Sequence, residues 1–206
     1  MVYKNLFNRI FFSIFLFAVY IIALNDKLLL FFFGTIIYLF VFYEILKFFK
    51  NYFKLILFYL FTSYISFVLY LYFSYDFFIF NIFVFTIIFF DSFSYFSGKL
   101  YGKNFILKFI SPKKTLEGYL GGFFFTNISY IIFFYFIDIE INLNKIFILI
   151  NIIILFSIFG DLIESFFKRK NDIKDSSKYI PGHGGYFDRF DSFIASIIML
   201  SIFSLL

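Results

Sequence analysis

Two pairs of acids along the chain have the same spacing: Asp161 with Glu164, and Asp188 with Asp191. On a helix, residues three apart share a face, so each pair aims its oxygens in one direction. A hard divalent cation such as Mg2+ requires that arrangement of ligands. A fifth acid, Asp91, follows the apolar run Ile87-Ile88-Phe89-Phe90. An ionised group in such a setting costs ~2.5–3.5 kcal/mol on insertion scales and usually serves a purpose. The basic knot Lys168-Arg169-Lys170 comes directly after the first pair, and Pro181-Gly182-His183-Gly184-Gly185 precedes the second. A backbone so poor in Cβ atoms can approach a phosphate closely and offer it N–H groups. Taken together, residues 161–191 read as metal-assisted phosphate chemistry. Each part has a plainer reading. The acids could be helix caps or mark a boundary, Asp91 could satisfy a buried bond, and the lysines could anchor headgroups.

The elements that must position these groups are apolar. Of 206 residues, 63% are hydrophobic and 29% aromatic, with 43 Phe, while only 15% are charged. So little polar surface cannot clothe a water-facing exterior, so lipid is the expected solvent. A bilayer core needs roughly 17–25 apolar residues as helix. Seven such runs occur, at about 8–24, 28–46, 54–74, 77–96, 119–137, 146–164 and 190–206. The fold class is therefore an all-α integral membrane protein of about seven transmembrane helices. Placing the N-terminus in the cytoplasm and alternating sides puts sixteen of the eighteen basic residues inside, leaving only Lys27 and Lys145 outside. Residues 1–24 resemble a signal peptide in charge but lack a small-residue cleavage site, so a retained first helix is expected.

The cytoplasmic segments expected at 97–118 and 165–189 hold the polar chemistry, and they flank the same hairpin of spans five and six. They should emerge side by side. No cysteine is present, which excludes disulfides and a thiolate nucleophile; the single histidine, His183, excludes a multi-His metal site. Residues 1–90 carry no motif, whereas 91–206 carry all of the candidate chemistry, within one continuous membrane domain. In the first segment, Ser111-Pro112-Lys113-Lys114-Thr115 offers Ser111 as a candidate cap with Pro112 early in the helix. Its lysine pair could hold phosphates or simply obey the inside rule. Gly118, Gly121 and Gly122 should let helices pack closely.

These residues resemble the signature of the phosphatidate cytidylyltransferases. The resemblance runs through Ser165-Phe166-Phe167-Lys168-Arg169, Lys174-Asp175, Ser177, Pro181-Gly182-His183-Gly184-Gly185 and Asp188-Arg189-Phe190-Asp191, with every spacing kept. Tyr186 departs from the pattern, where an aliphatic residue or Phe is usual. Gly160 to Ser165, Ser111 to Gly118 and Asp91 to Gly98 also look like the family. The match covers roughly residues 91–192, and the first 90 residues are shorter than the family's usual N-terminal region.

The resemblance implies a Mg2+-assisted nucleotidyltransferase that joins CTP to phosphatidate, giving CDP-diacylglycerol and pyrophosphate. The expected metal ligands are Asp161 and Asp188, assisted by Asp191 and Asp91. Lys168, Arg169 and Arg189 are expected to hold phosphates. Lys113 and Lys114 are second candidates, and Ser165, Gly184 and Gly185 complete the substrate contacts. His183 would bond a phosphate oxygen or order the glycine loop rather than act as a base. Membrane lipids and a second copy of the chain are the implied partners, nucleic acid is not, and a second cation beside Mg2+ is possible. The cell membrane, with the site facing the cytoplasm, is the expected location. The rival readings are a related CTP-dependent enzyme acting on a prenol or isoprenoid lipid, and a transporter or scaffold whose acids line an ion path.

Overall fold

The computed structural model describes residues 17–24, 26–106, 109–111, 114–137, 142–180 and 184–205. Helix α1 covers residues 17–24; α2 is Lys27–Phe48, α3 Phe53–Phe73, α4 Phe77–Tyr101, α5 Leu116–Phe136, α6 Leu143–Lys170 and α7 Phe187–Ser204. Five of these, α2 to α6, are long and apolar enough to cross a bilayer. Together with the lipid-type exterior described below, they make this a multi-pass membrane protein. Helix α7 has 18 residues and carries Asp188, Arg189 and Asp191 in its first turns. The run expected at 8–24 lies largely outside the described residues, and only its last turns are seen.

Local chemistry explains the starts. Asp26 and Asp76 cap α2 and α4, accepting the N–H of Leu28 at 2.7 Å and of Ile79 at 2.8 Å. Ser111 does not cap α5, contrary to expectation. Its carbonyl closes a turn onto the Lys114 N–H, and the cap is Thr115, whose hydroxyl accepts from Gly118 N–H at 3.2 Å. Two boundaries also move. Helix α4 runs on to Tyr101, and α6 continues six residues past Glu164 to Lys170, so Ser165, Lys168 and Arg169 are helical rather than in a loop. The reason is the i,i+4 pair of Glu164 with Lys168, together with three cations in the last turn facing the helix's negative end.

The exterior is apolar, with residues such as Phe58, Tyr72 and Leu100 at least 70% exposed, as a lipid-facing surface allows. The interior is built on α7. It packs against α6 and α3, while α4 lies along α5. Gly160 makes the α6–α7 approach close: a Cβ there would run into the backbone carbonyl of Asp191 and meet Ala195 Cβ at 2.9 Å. Gly118, Gly121 and Gly122 do the same for α5 on α4, facing Ser94, Ser97 and Phe90. Val41, Ile45 and Ile56 of the N-terminal helices share one apolar core with Phe187, Ile194 and Ile197 of α7.

The basic segments gather at one end of the bundle. Asn171, after α6, accepts the N–H groups of Lys50 at 2.8 Å and Asn51 at 2.7 Å between α2 and α3. Arg169 donates through Nε to the carbonyl of Ile110 at 3.2 Å, tying in the segment before α5. The expected meeting of the two polar segments is therefore realised.

Candidate active site

Towards that end, acids and cations interleave between the helices. Lys114, just before α5, forms an ion pair with Asp161 on α6. Lys168, one turn beyond Glu164, bridges Glu164 and Asp188, with both contacts at 2.7 Å. Asp91 of α4 and Asp191 of α7 lie within electrostatic reach of Asp161, and Arg189 within reach of Asp91. Four elements thus bring together Asp91, Asp161, Glu164, Asp188 and Asp191 with Lys114, Lys168 and Arg189. Burial pulls Lys114 towards its neutral form, but Asp161 and then Asp91 outweigh it and hold its pKa above the ordinary lysine value. Lys114 therefore stays charged at neutral pH.

Asp188 has a different environment from the other acids. Its Oδ1 accepts from Lys168, while Oδ2 accepts the N–H groups of Ser176 at 2.9 Å and Gly185 at 2.8 Å and the Ser176 hydroxyl at 3.1 Å. Burial alone would raise its pKa. Contacts with Glu164, the Lys168 ammonium and the Gly185 N–H more than offset that, bringing it down to about 2. Gly184 makes the turn possible: its φ is +84°, and a Cβ would sit 2.5 Å from Asp188 Oδ2. The Gly185 N–H, expected to be offered to a phosphate, is instead directed inward at Asp188. A buried carboxylate needs donors, and the glycine turn supplies them.

A sixth acid, marked by no motif, organises the same loop. Glu44 on α2 is fully buried. Its Oε1 accepts the Ser177 hydroxyl at 2.5 Å and the Tyr186 N–H at 2.8 Å, and its Oε2 the Ser176 hydroxyl and Phe187 N–H, both at 3.0 Å. Helix α7 has no side-chain cap of its own, as Tyr186 cannot provide one. Glu44 supplies that cap from another helix, placing negative charge at the positive end of α7. A lone acid within the 28–46 run carries the same signal as Asp91, but no spacing connects it to a loop more than 130 residues away.

The remaining candidates lie around this cluster. Arg169 is exposed and bound to the carbonyls of Ile110 and Ile173. Ser165 lies on α6, and Arg189 on the first turn of α7. Lys113 and His183 lie outside the described residues. For a bound cation, the donor set offers free lone pairs: Asp91 Oδ1 and Glu164 Oε1 are buried without a donor. Among the described residues, however, no three acids already converge as a closed metal cage. Lys114 and Lys168 occupy the positions between them.

The Cytidylyltransferase family model matches residues 2–206. The chain belongs to that family. Among curated relatives, it is 43% identical over 115 residues to a phosphatidate cytidylyltransferase of Staphylococcus aureus strain COL. It is 41% identical over 112 residues to one from Staphylococcus haemolyticus, and 38% identical over 112 residues to one from Staphylococcus epidermidis. Each alignment covers 54% of this chain and 43% of the relative, so the matched stretch spans less than half the length of these family members.

Proposed function

We propose that the chain transfers the cytidylyl group of CTP to phosphatidate, producing CDP-diacylglycerol and pyrophosphate. The observation that carries this reading is the meeting of Lys114, Lys168 and Arg189 with five carboxylates of α4, α6 and α7, in a chain of the cytidylyltransferase family. In the reaction, a phosphate oxygen of phosphatidate attacks the α-phosphorus of CTP. The bond from that phosphorus to the bridging oxygen breaks, and pyrophosphate leaves with the electron pair. A phosphate monoester is already an anion at neutral pH, so no residue needs to remove a proton from it. The demand on the protein is to hold two polyanions in line and neutralise them. Lys168, Arg169 and Arg189 would hold the phosphates, with Lys113 and Lys114 beside them. Ser165, Gly184 and His183 would line the approach.

Asp91, Asp161 and Asp191 would hold Mg2+, and Asp188, committed to Lys168 and the N–H groups of Ser176 and Gly185, would shape the loop around them. When bound, the ion supplies charge neutralisation at the transferring phosphoryl group. Lys114, which pairs with Asp161, would hold a phosphate beside that carboxylate. The site would face the cytosolic CTP pool from the cell membrane, as the bias of basic residues favours. Release of pyrophosphate by purified protein in detergent is the direct test, with and without phosphatidate and with Mg2+ or EDTA. Release dependent on both lipid and Mg2+ is expected. Release that ignores the lipid, or a folded sample that releases none with phosphatidate but converts CTP to CDP with a prenol, would overturn the assignment.

A further inference from the structure

Helix α3 carries no motif, yet it brings one polar atom to the charged cluster. The Tyr59 hydroxyl is buried and has no hydrogen-bond partner, while its ring packs against the apolar core. Its place follows from helix register. Asn171, at the end of α6, holds Lys50 and Asn51 just before α3, and Lys168 of α6 meets Asp188 at the start of α7. Both α3 and α7 therefore leave the same end of the bundle and run parallel. Ser63 sets their register, its hydroxyl donating to the Ile194 carbonyl of α7 at 2.6 Å. Tyr59 lies one turn before Ser63 and shares its helix face, and Asp191 lies three residues before Ile194. At ~1.5 Å per residue these steps are about 6 Å and about 4.5 Å, so the two residues stand at nearly one level. Helix α6 closes the third side: Gly160 meets the Asp191 carbonyl, and Glu164 lies one turn closer to the charged end. Helical side chains lean towards the helix N-terminus, which carries the Tyr59 ring in the same direction. Its hydroxyl is within electrostatic reach of both Asp191 and Glu164. Glu164 has the matching deficit. Its Oε2 pairs with Lys168, while its Oε1 is buried with no donor. A buried donor and a buried acceptor left unserved each carry a desolvation penalty, which a link between them removes.

We infer that Tyr59 is a positioning residue for the proposed transfer: its hydroxyl serves Glu164, directly or through one bridging water, and so braces the chain from Glu164 through Lys168 to Asp188. Lys168 is the member of that chain that meets a phosphate of the substrate. The inference rests on the proposed function and adds to it a residue from the part of the chain without motifs. A tyrosine that only filled space would contribute its ring and nothing more, and Phe would do as well.

The test is Tyr59→Phe, which removes one oxygen and keeps the ring, made alone and together with Glu164→Gln. In the pyrophosphate assay Tyr59→Phe should raise KM for CTP by about three- to tenfold and leave kcat nearly unchanged, the factor carried by one hydrogen bond that acts on binding. The rise should largely vanish in the Glu164→Gln background, where the acceptor charge is already gone. Tyr64, on the same helix, shares a bond with Thr35 of α2 at 3.3 Å, and Tyr64→Phe should leave KM as in wild type. An unchanged KM in folded Tyr59→Phe protein, or an equal rise with and without Glu164, overturns the inference. Melting temperatures of wild type, the two single variants and the double variant in detergent give a reading that does not depend on turnover. The double variant should lose less than the sum of the single losses. A higher melting temperature for Tyr59→Phe, as removal of an idle hydroxyl gives, overturns the link. Wild-type protein that releases no pyrophosphate overturns the proposed function instead. The melting cycle then judges the link alone, with coupled losses supporting it and additive losses overturning it.

Discussion

Replacing Glu44 isolates the long-range cap on α7. Each of its oxygens accepts one serine hydroxyl and one backbone N–H: Ser177 with Tyr186 on Oε1, and Ser176 with Phe187 on Oε2. The hydroxyls can rotate towards other acceptors, but the two backbone donors cannot. Glu44→Ala therefore orphans two buried N–H groups, at about 1–3 kcal/mol each, for a loss of about 2–6 kcal/mol. Glu44→Gln keeps the shape and one acceptor oxygen. Whichever way the amide lies, its NH2 faces one backbone N–H, so the loss should be about 1–3 kcal/mol, with the charge at the helix terminus removed as well. Thermal unfolding in detergent should rank wild type above Glu44→Gln and Glu44→Ala lowest. Turnover should fall with the loss of order in the 176–187 loop. Pairing Glu44→Ala with Ser177→Ala should give less than the sum of the single effects, since the two share a bond. Glu44→Ala protein that melts with wild type and turns over normally would refute the reasoning.

Three further outcomes follow from the same geometry. Gly184→Ala must accept a left-handed φ and a Cβ pressed on Asp188, so it should cost at least about 1–2 kcal/mol, measured as a lower melting temperature and a higher KM for CTP. Asp188 titrates at about 2 in the folded protein against 3.8 for the free side chain, so its stabilisation is complete above pH 3.8 and disappears as pH falls through about 2. That contribution is at most about 2 kcal/mol. The difference in melting temperature between wild type and Asp188→Asn should shrink over that window; a constant difference would remove the linkage. Asp161→Asn should leave the fold intact, because Lys114 is partly exposed and can reach solvent. It should nevertheless suppress pyrophosphate release and weaken the response to added Mg2+; full activity would remove Asp161 from the proposed metal site.

Much of this molecule follows from near-neighbour pattern. Six of the seven apolar runs expected from hydropathy appear as α2 to α7, because helix formation and membrane insertion both depend on contiguous residues. The i,i+3 acid pairs on α6 and α7 share helix faces for the same local reason. The convergence of the two polar segments followed from the hairpin that joins them, as the Arg169 bond to Ile110 now records. The ends were less legible. Whether α6 stops at Glu164 or continues to Lys170 depends on an ion pair and a helix dipole, neither of which hydropathy registers.

The residue types and spacing by themselves determined a bilayer-spanning helical bundle, the inventory of acids and cations, and the kinship with cytidylyltransferases. Only the tertiary structure decided which charge meets which. Lys114, before α5, pairs with Asp161 on α6, Asp188 takes one of its donors from the glycine turn, and Glu44 reaches α7 from a segment that carries no motif. The physical reason is that a buried polar group must find partners wherever packing brings them, and sequence distance does not limit that search.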